Sequence, residues 1–302
     1  MKIGYPCINL SIDCRSDRTF RLKSYSEQRL RETVSNNLDC LGRIFQYNAD
    51  HHFLFFRISS ELVPFASHPV CQFNWQSYFQ DEFRSLGSFI KSQRMRISMH
   101  PGQYTLINSA DHRTVQNSVK ELRYHADVLD ALGLDATAKI QVHVGGVYGD
   151  KPASMRRFVQ QYRILDPAIK RRLVIENDDR SYTVADCLSI ASETGIPVLF
   201  DVFHHELNGT GTLDSDYLNR TWRTWQQGDG IPMVDYSSQK PGGVRVHHAE
   251  TIDTEHFCNF LYRTRPQDFD IMLEIKDKDR SALKAVQVLE DDSRFFSERT
   301  SV

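Results

Sequence analysis

Short β-branched runs alternate with longer amphipathic stretches along nearly the whole chain, and this alternation restricts the fold more than any other feature. Strands are expected at residues 2–8, 53–58, 96–99, 140–144, 173–175, 198–202, 233–235 (with 244–246 close behind) and 271–275. Amphipathic stretches lie between them at 26–44, 75–91, 114–132, 152–165, 184–193 and 213–225. Runs such as Leu173-Val-Ile and Val198-Leu-Phe are continuously apolar, as a parallel strand covered on both faces requires. Strand then helix, repeated, builds βαβ units. About eight such units in 302 residues favour a single α/β (β/α)8 TIM barrel over an open doubly wound sheet. No GxGxxG after the first strand, no P-loop and no GxSxG elbow compete with that reading. The barrel domain is expected over residues 1–290, with a poorly ordered tail over 291–302.

Composition narrows the partners. With 40% hydrophobic residues the chain can bury a large core, and a formal net charge of −2 gives no global attraction to nucleic acid. A polyanion would need a local patch or bound cations. No apolar run approaches the roughly 18 to 20 residues that span a bilayer, and residues 1–13 lack the core of a signal peptide. A cytoplasmic monomer without membrane contact is expected. The six cysteines are scattered without a CxxC pair, so reduced thiols are expected.

The chemistry sits where the strands end. Histidine ends two of them, at His100 and His143, and Glu176 ends the next. An Asp201-x-x-His204 pair, Asp235, His247-His248 and Glu274 follow in turn. A lone histidine in such a place is most often a satisfied core or capping residue. About six strands in a row are different, because a parallel barrel brings every C-terminal strand end to one face. Four carboxylates in one mouth cannot all stay ionised unless cations neutralise them. Mixed imidazole and carboxylate donors suit zinc, manganese or iron better than calcium. With His68, His100, His143, His204 and His248 the donors suffice for two or three divalent ions. Three ions would move the formal charge from −2 to about +4 and make the mouth attractive to phosphates. Such centres activate water for displacement at phosphorus, so phosphodiester hydrolysis is the natural reaction class. A metal-dependent sugar isomerase on the same barrel is the main competitor.

Several strings together resemble the UV damage endonucleases, relatives of endonuclease IV and the xylose isomerase-like barrels. They are Ile3-Gly-Tyr5-Pro-Cys-Ile-Asn9, Arg57-Ile-Ser-Ser-Glu-Leu-Val-Pro, Met99-His100-Pro-Gly-Gln103-Tyr104 and Val142-His143-Val-Gly-Gly. Further on come Ile175-Glu176-Asn-Asp, Phe200-Asp201-Val-Phe-His204-His, Asp235-Tyr-Ser-Ser-Gln, His248-Ala and Met272-Leu-Glu274-Ile-Lys-Asp-Lys. The likeness runs from Met1 to about Ala285. It implies a nuclease that nicks double-stranded DNA immediately 5′ of a UV photoproduct, leaving a 3′-hydroxyl, with up to three ions, manganese by preference. The family's ligands fall on His68, His100, His143, Glu176, Asp201, His204, Asp235, His248 and Glu274, and catalysis on Glu176, Asp201, His204 and Glu274. Its probing dipeptide falls on Gln103-Tyr104, and Tyr5 and Asn9 match residues near the damaged nucleotides. Aspartate stands at 235 where some members have histidine, and Met233 stands where some carry a modified lysine.

Remaining features take ordinary readings. Lys276 lies where it would reach DNA phosphates from the mouth. His51, His52, His112, His125 and His256 are expected at the surface. The Arg156-Arg157 and Arg171-Arg172 pairs are expected on solvated helix faces, and Trp222 and Trp225 in the core. An abasic-site endonuclease, a sugar isomerase and a non-catalytic DNA-binding module are the alternatives. A lesion panel, sugar turnover and metal-dependent nicking separate them.

Overall fold

Of all the residues in the eight β-strands, only His143 is not fully buried, and burial on both faces is why the runs lack alternation. In this computed structural model the described residues are 1–209, 215–240, 242–244 and 246–296. The strands are β1 (Ile3–Pro6), β2 (Phe55–Ile58), β3 (Arg96–Met99), β4 (Lys139–His143), β5 (Leu173–Glu176), β6 (Val198–Asp201), β7 (Met233–Tyr236) and β8 (Asp270–Leu273). Each pairs in parallel with the next and β8 closes on β1, giving a (β/α)8 barrel. A Cβ on Gly4 would lie 1.4 Å from the Phe55 carbonyl oxygen, so only glycine allows β1 and β2 this approach.

The helices that follow the strands are α1 (Glu27–Asp50), α2 (Gln80–Ser92), α3 (His112–Ala131), α4 (Lys151–Ile164), α5 (Val184–Thr194), α6 (Ser215–Trp222), α7 (Thr254–Arg263) and α8 (Asp279–Leu289). Ser26, Asp111, Asp150, Thr183 and Asp253 start their helices by accepting a first-turn amide. The stretch expected as one helix over 75–91 is broken at Phe79, with Trp75–Tyr78 a separate turn. Residues 213 and 214, the start of another expected helix, lie outside the described residues. α7 and α8 have no counterpart among the stretches read from the sequence.

Alternate residues along each strand fill the barrel in layers. At the floor, Arg96 pairs with Asp270 at 2.9 Å and Lys139 with Asp229 at 2.5 Å. Above them Phe55, Val174, Leu199, Met233 and Met272 form an apolar plug with Trp225. Two residues further along, the same strands present Arg57, Glu176, Asp201, Asp235 and Glu274 to the mouth. An apolar plug thus lies directly beneath the charged groups.

Several expectations need correction. Residues 244 and 246 belong to no strand; β7 is followed by turns, and His248 makes an isolated antiparallel bridge to Gln239. The tail expected from 291 stays on the body as far as Phe296, whose amide donates to the Met1 carbonyl, and Asp292 is buried against Arg294. Residues 297–302 lie outside the described residues. Cys14 and Cys40 form a disulfide because the loop after β1 folds back along α1, a proximity that sequence spacing does not reveal; Cys7, Cys71, Cys187 and Cys258 are free. His125 is fully buried, bonded to Ser60 and the Glu121 carbonyl, and Arg172 is buried among the Asp130 carboxylate and three backbone carbonyls. Trp222 packs on Phe269, and Trp225 donates from Nε1 to the Val198 carbonyl. No described helix is long and apolar enough to cross a membrane.

Candidate metal centre

The strand ends converge as the parallel topology demands. His100 follows β3, His143 and Glu176 end β4 and β5 side by side in register, and Asp201 and Asp235 are paired in register on β6 and β7. Glu274 follows β8 directly. Asp201 also caps the short helix Val202–Asn208, accepting the His204 amide at 2.7 Å, and this turn swings His204 back over the mouth. Three donor groups result among the described residues: His100, His143 and Glu176; Glu176, Asp201 and His204; Asp201, Asp235 and Glu274. Within each, one ligand atom per residue lies within 4.8 Å of the others. Glu176 and Asp201 each serve two groups, so adjacent cations would share bridging carboxylates.

The donors fit divalent cations. His143 Nδ1 and His248 Nδ1 are buried and make no hydrogen bond of good geometry, His143 Nδ1 facing Glu176 Oε1 at 3.3 Å, an arrangement an ion would satisfy. His100 Nδ1 pairs with the Pro101 carbonyl at 2.8 Å, leaving Nε2 turned to Glu176 Oε1 at 2.8 Å. His204 Nδ1 pairs with the Asn177 carbonyl at 3.1 Å, a contact that orients the ring. His248 stands 6.3 Å from His204 by ring centroids but joins none of the three groups. His68 is exposed on the loop after β2, its Nδ1 accepting the Val70 amide, and is likewise outside them.

Burial and like charge set the electrostatics. Burial pushes the Asp201 carboxyl up to about 7 despite His204, and pushes Asp235 well above the carboxylate range. Burial opposes ionisation of Glu176 too, but His143 and His100 outweigh it and hold the acid down at about 2. Burial lowers His204, yet Asp201 and Glu176 outweigh it and raise the imidazole to about 9. Desolvation opposes ionisation of Glu274 as well, but Arg57 and His248 hold it well below the ordinary value. Asp235 and Glu274 thus diverge beside the same guanidinium. Asp235 has no solvent exposure and faces the other three carboxylates, whereas Glu274 keeps 22% side-chain exposure.

Two residues beneath the mouth were assigned no role from the sequence. Arg57 donates to both oxygens of Asp235 at 2.8 and 2.9 Å, to Gln141 Oε1 at 2.7 Å and to Glu274. Gln141 Nε2 in turn donates to Glu176 and to Asp235, each at 2.5 Å. Their signal was present: a polar side chain inside the runs Phe-Phe-Arg-Ile and Ile-Gln-Val of a doubly covered sheet.

The residues matched to lesion contacts divide. Gln103 and Tyr104 form an exposed turn after β3, closed by the Thr105 amide on the Gly102 carbonyl, with Tyr104 81% exposed. Lys276 is exposed just past Glu274. Tyr5 and Asn9 are buried. Tyr5 donates to Asn48 Oδ1 and accepts from Asn9 Nδ2, both at 2.6 Å, while Asn9 Oδ1 accepts the Ser11 and Ile12 amides. They fasten the loop after β1 to α1. Met233 lies in the apolar plug, two residues below Asp235.

Fold and site together define a (β/α)8 barrel of the metal-competent class, its acid and imidazole groups gathered at the C-terminal face. Comparison with known proteins makes this particular. The model of the family described as UV-endonuclease UvdE matches residues 1–297. The UV DNA damage endonuclease of Clostridium perfringens is 36% identical over 293 residues, covering 96% of this chain and 71% of that protein. That of Bacillus cereus strain Q1 is 35% identical over 299 residues, covering 96% and 94%. The solved structure of SacUVDE superposes with a TM-score of 0.93 at 45% identity, over 98% of this chain and all of that one. Endonuclease IV from Thermus thermophilus shares the fold, at TM-score 0.59 and 17% identity over 83% of this chain and 94% of that one. The chain belongs to the UV-endonuclease UvdE family, and is accordingly an endonuclease, a hydrolase.

Proposed function

We propose that the chain is a metal-dependent DNA repair enzyme that nicks double-stranded DNA immediately 5′ of UV photoproducts, cyclobutane dimers and 6-4 photoproducts alike, leaving a 3′-hydroxyl. The observation that carries this is the run of three donor groups sharing Glu176 and Asp201, in a chain of the UvdE family. Two or three divalent ions, Mn2+ foremost, would be held by His100, His143, Glu176, Asp201, His204, Asp235 and Glu274, with His248 and His68 completing the shell at its edges. Such ions lower the pKa of water toward about 7 and take up charge on the displaced oxygen. The chain's own part is placement. Glu176 and Asp201 would each be shared between neighbouring cations, and the hydrogen bonds of Gln141 and Arg57 hold the carboxylates of Glu176 and Asp235 in place. Lys276 offers a cation to the DNA backbone, and Gln103-Tyr104 fills the gap left by an extruded lesion.

A duplex with one defined cyclobutane dimer, incubated with the protein and Mn2+, tests the reading. One cut immediately 5′ of the dimer is expected, its product extended by a DNA polymerase without trimming. Cleavage confined to abasic sites would replace this reading with an endonuclease IV type of activity. Glu176→Ala and Asp201→Ala should each abolish nicking, since each removes a ligand from two groups at once. Unchanged rates in both would discard the site.

A further inference from the structure

One exposed aromatic at the mouth is held in a strained pose that the centre does not explain. The loop after β4 runs Val144-Gly-Gly-Val-Tyr148-Gly-Asp150, and its last four residues close a tight turn, the Asp150 amide donating to the Val147 carbonyl at 2.9 Å. Both central residues have positive φ, Gly149 at 76° and Tyr148 at 48°. Glycine, asparagine or aspartate normally supplies such a turn; a tyrosine there is strained and persists only where its surroundings impose it.

Those surroundings are built around the ring. The Arg157 guanidinium sits over it, 5.3 Å from the centroid, and is itself fixed by the Asn108 carbonyl at 2.9 Å and Ser154 Oγ at 2.7 Å. The ring lies so close to Gly146 that a Cβ there would meet it at 2.9 Å. Gly146 is pinned through its carbonyl by Asn108 Nδ2 at 2.8 Å and the Tyr182 hydroxyl at 3.0 Å. Asn108 is fully buried and lies in the same loop that carries Gln103 and Tyr104. The two neighbouring loops are thereby locked together, and each projects one tyrosine on the face of His100 and His143. Tyr148 keeps 46% exposure in spite of its supports.

A rigid, half-exposed ring backed by a cation is what an unstacked nucleobase requires: area at little entropic cost. We infer that Tyr148 is a second base-stacking element of this enzyme, receiving a nucleobase of the deformed duplex beside the one met by Tyr104. The inference rests on the DNA reading above. Tyr148→Gly is the informative variant, because glycine relieves the backbone strain while removing the ring. Binding is measured by fluorescence anisotropy on a dimer-containing duplex, with Ca2+ supplied so that the strand stays intact. A parallel set of duplexes carries 2-aminopurine opposite the dimer and at the flanking positions.

Tyr148→Gly should bind about tenfold more weakly with a melting temperature no lower than wild type, while Tyr148→Phe binds as wild type does. Wild type and Tyr148→Phe should quench 2-aminopurine at one or more of these positions, and Tyr148→Gly should not. Undiminished binding by Tyr148→Gly overturns the inference alone, as does a Tyr148→Phe loss equal to that of Tyr148→Gly, which would assign the role to the hydroxyl. A wild-type protein that binds no damaged duplex overturns the DNA reading and this one with it.

Discussion

Arg57 neutralises part of the mouth before any ion arrives. Four carboxylates crowd there, and its guanidinium pairs with two of them, Asp235 and Glu274, from a buried position on β2. Removing one partner of a buried ion pair costs about 3–5 kcal/mol, because the other charge is left without compensation. In this chain the stranded carboxylates have an alternative, since a divalent cation can take over the charge. Arg57→Met should therefore lower the melting temperature strongly in chelator and much less with saturating Mn2+. Melts of both proteins in both conditions check this; an equal drop with and without metal would mean that Arg57 serves packing only. Lysine would not substitute, since a single ammonium cannot supply the fork whose Nη1 engages Glu274 while Nη2 engages Asp235 and Gln141.

Strands and loops differ in how far the sequence exposes them. The ends of β3 to β8 were legible, because a parallel strand covered on both faces is mostly apolar, so a His, Asp or Glu that closes such a run marks the exit. The convergence of His100, His143, Glu176, Asp201, His204, Asp235 and Glu274 follows from topology alone. Loop geometry was not legible. The fold-back that joins Cys14 to Cys40, the burial of Tyr5 and Asn9 and the separation of His68 from the three donor groups depend on contacts between distant segments, which no local pattern encodes. Arg57 and Gln141 stood in view, but their partners lie 84 or more residues away, except Glu176, 35 residues from Gln141. The Gln103-Tyr104 turn gives the loop scale its own test. It is exposed and touches none of the donor groups, so Gln103→Ala with Tyr104→Ala should leave bound metal unchanged. Preference for damaged over undamaged duplex should fall about tenfold, the worth of one lost stacking contact. Unchanged preference in competition binding would remove the wedge role.

For the whole molecule, the centre makes stability depend on pH in a direction that metal should reverse. His204 has an ordinary value of 6.5 and is raised to about 9 in the fold, so between those limits the native state holds a proton that the unfolded chain has released. Stability falls with rising pH wherever the native state binds more protons. The contribution of His204 is thus complete below pH 6.5 and gone above about 9. Asp201 acts in the same direction at lower pH: the unfolded chain ionises it near 3.8, the native protein near about 7. The melting temperature of chelated protein should therefore decline by several degrees from pH 6.5 to 9, and His204→Gln should flatten that decline. Cation binding requires the same carboxylate ionised and the imidazole neutral, so the rise in melting temperature on adding Mn2+ should grow across the same interval. Paired melts in chelator and in Mn2+ at several pH values measure both trends. A metal-induced rise that is flat or shrinks toward pH 9 would separate Asp201 and His204 from the cations and leave the barrel mouth without its ligands.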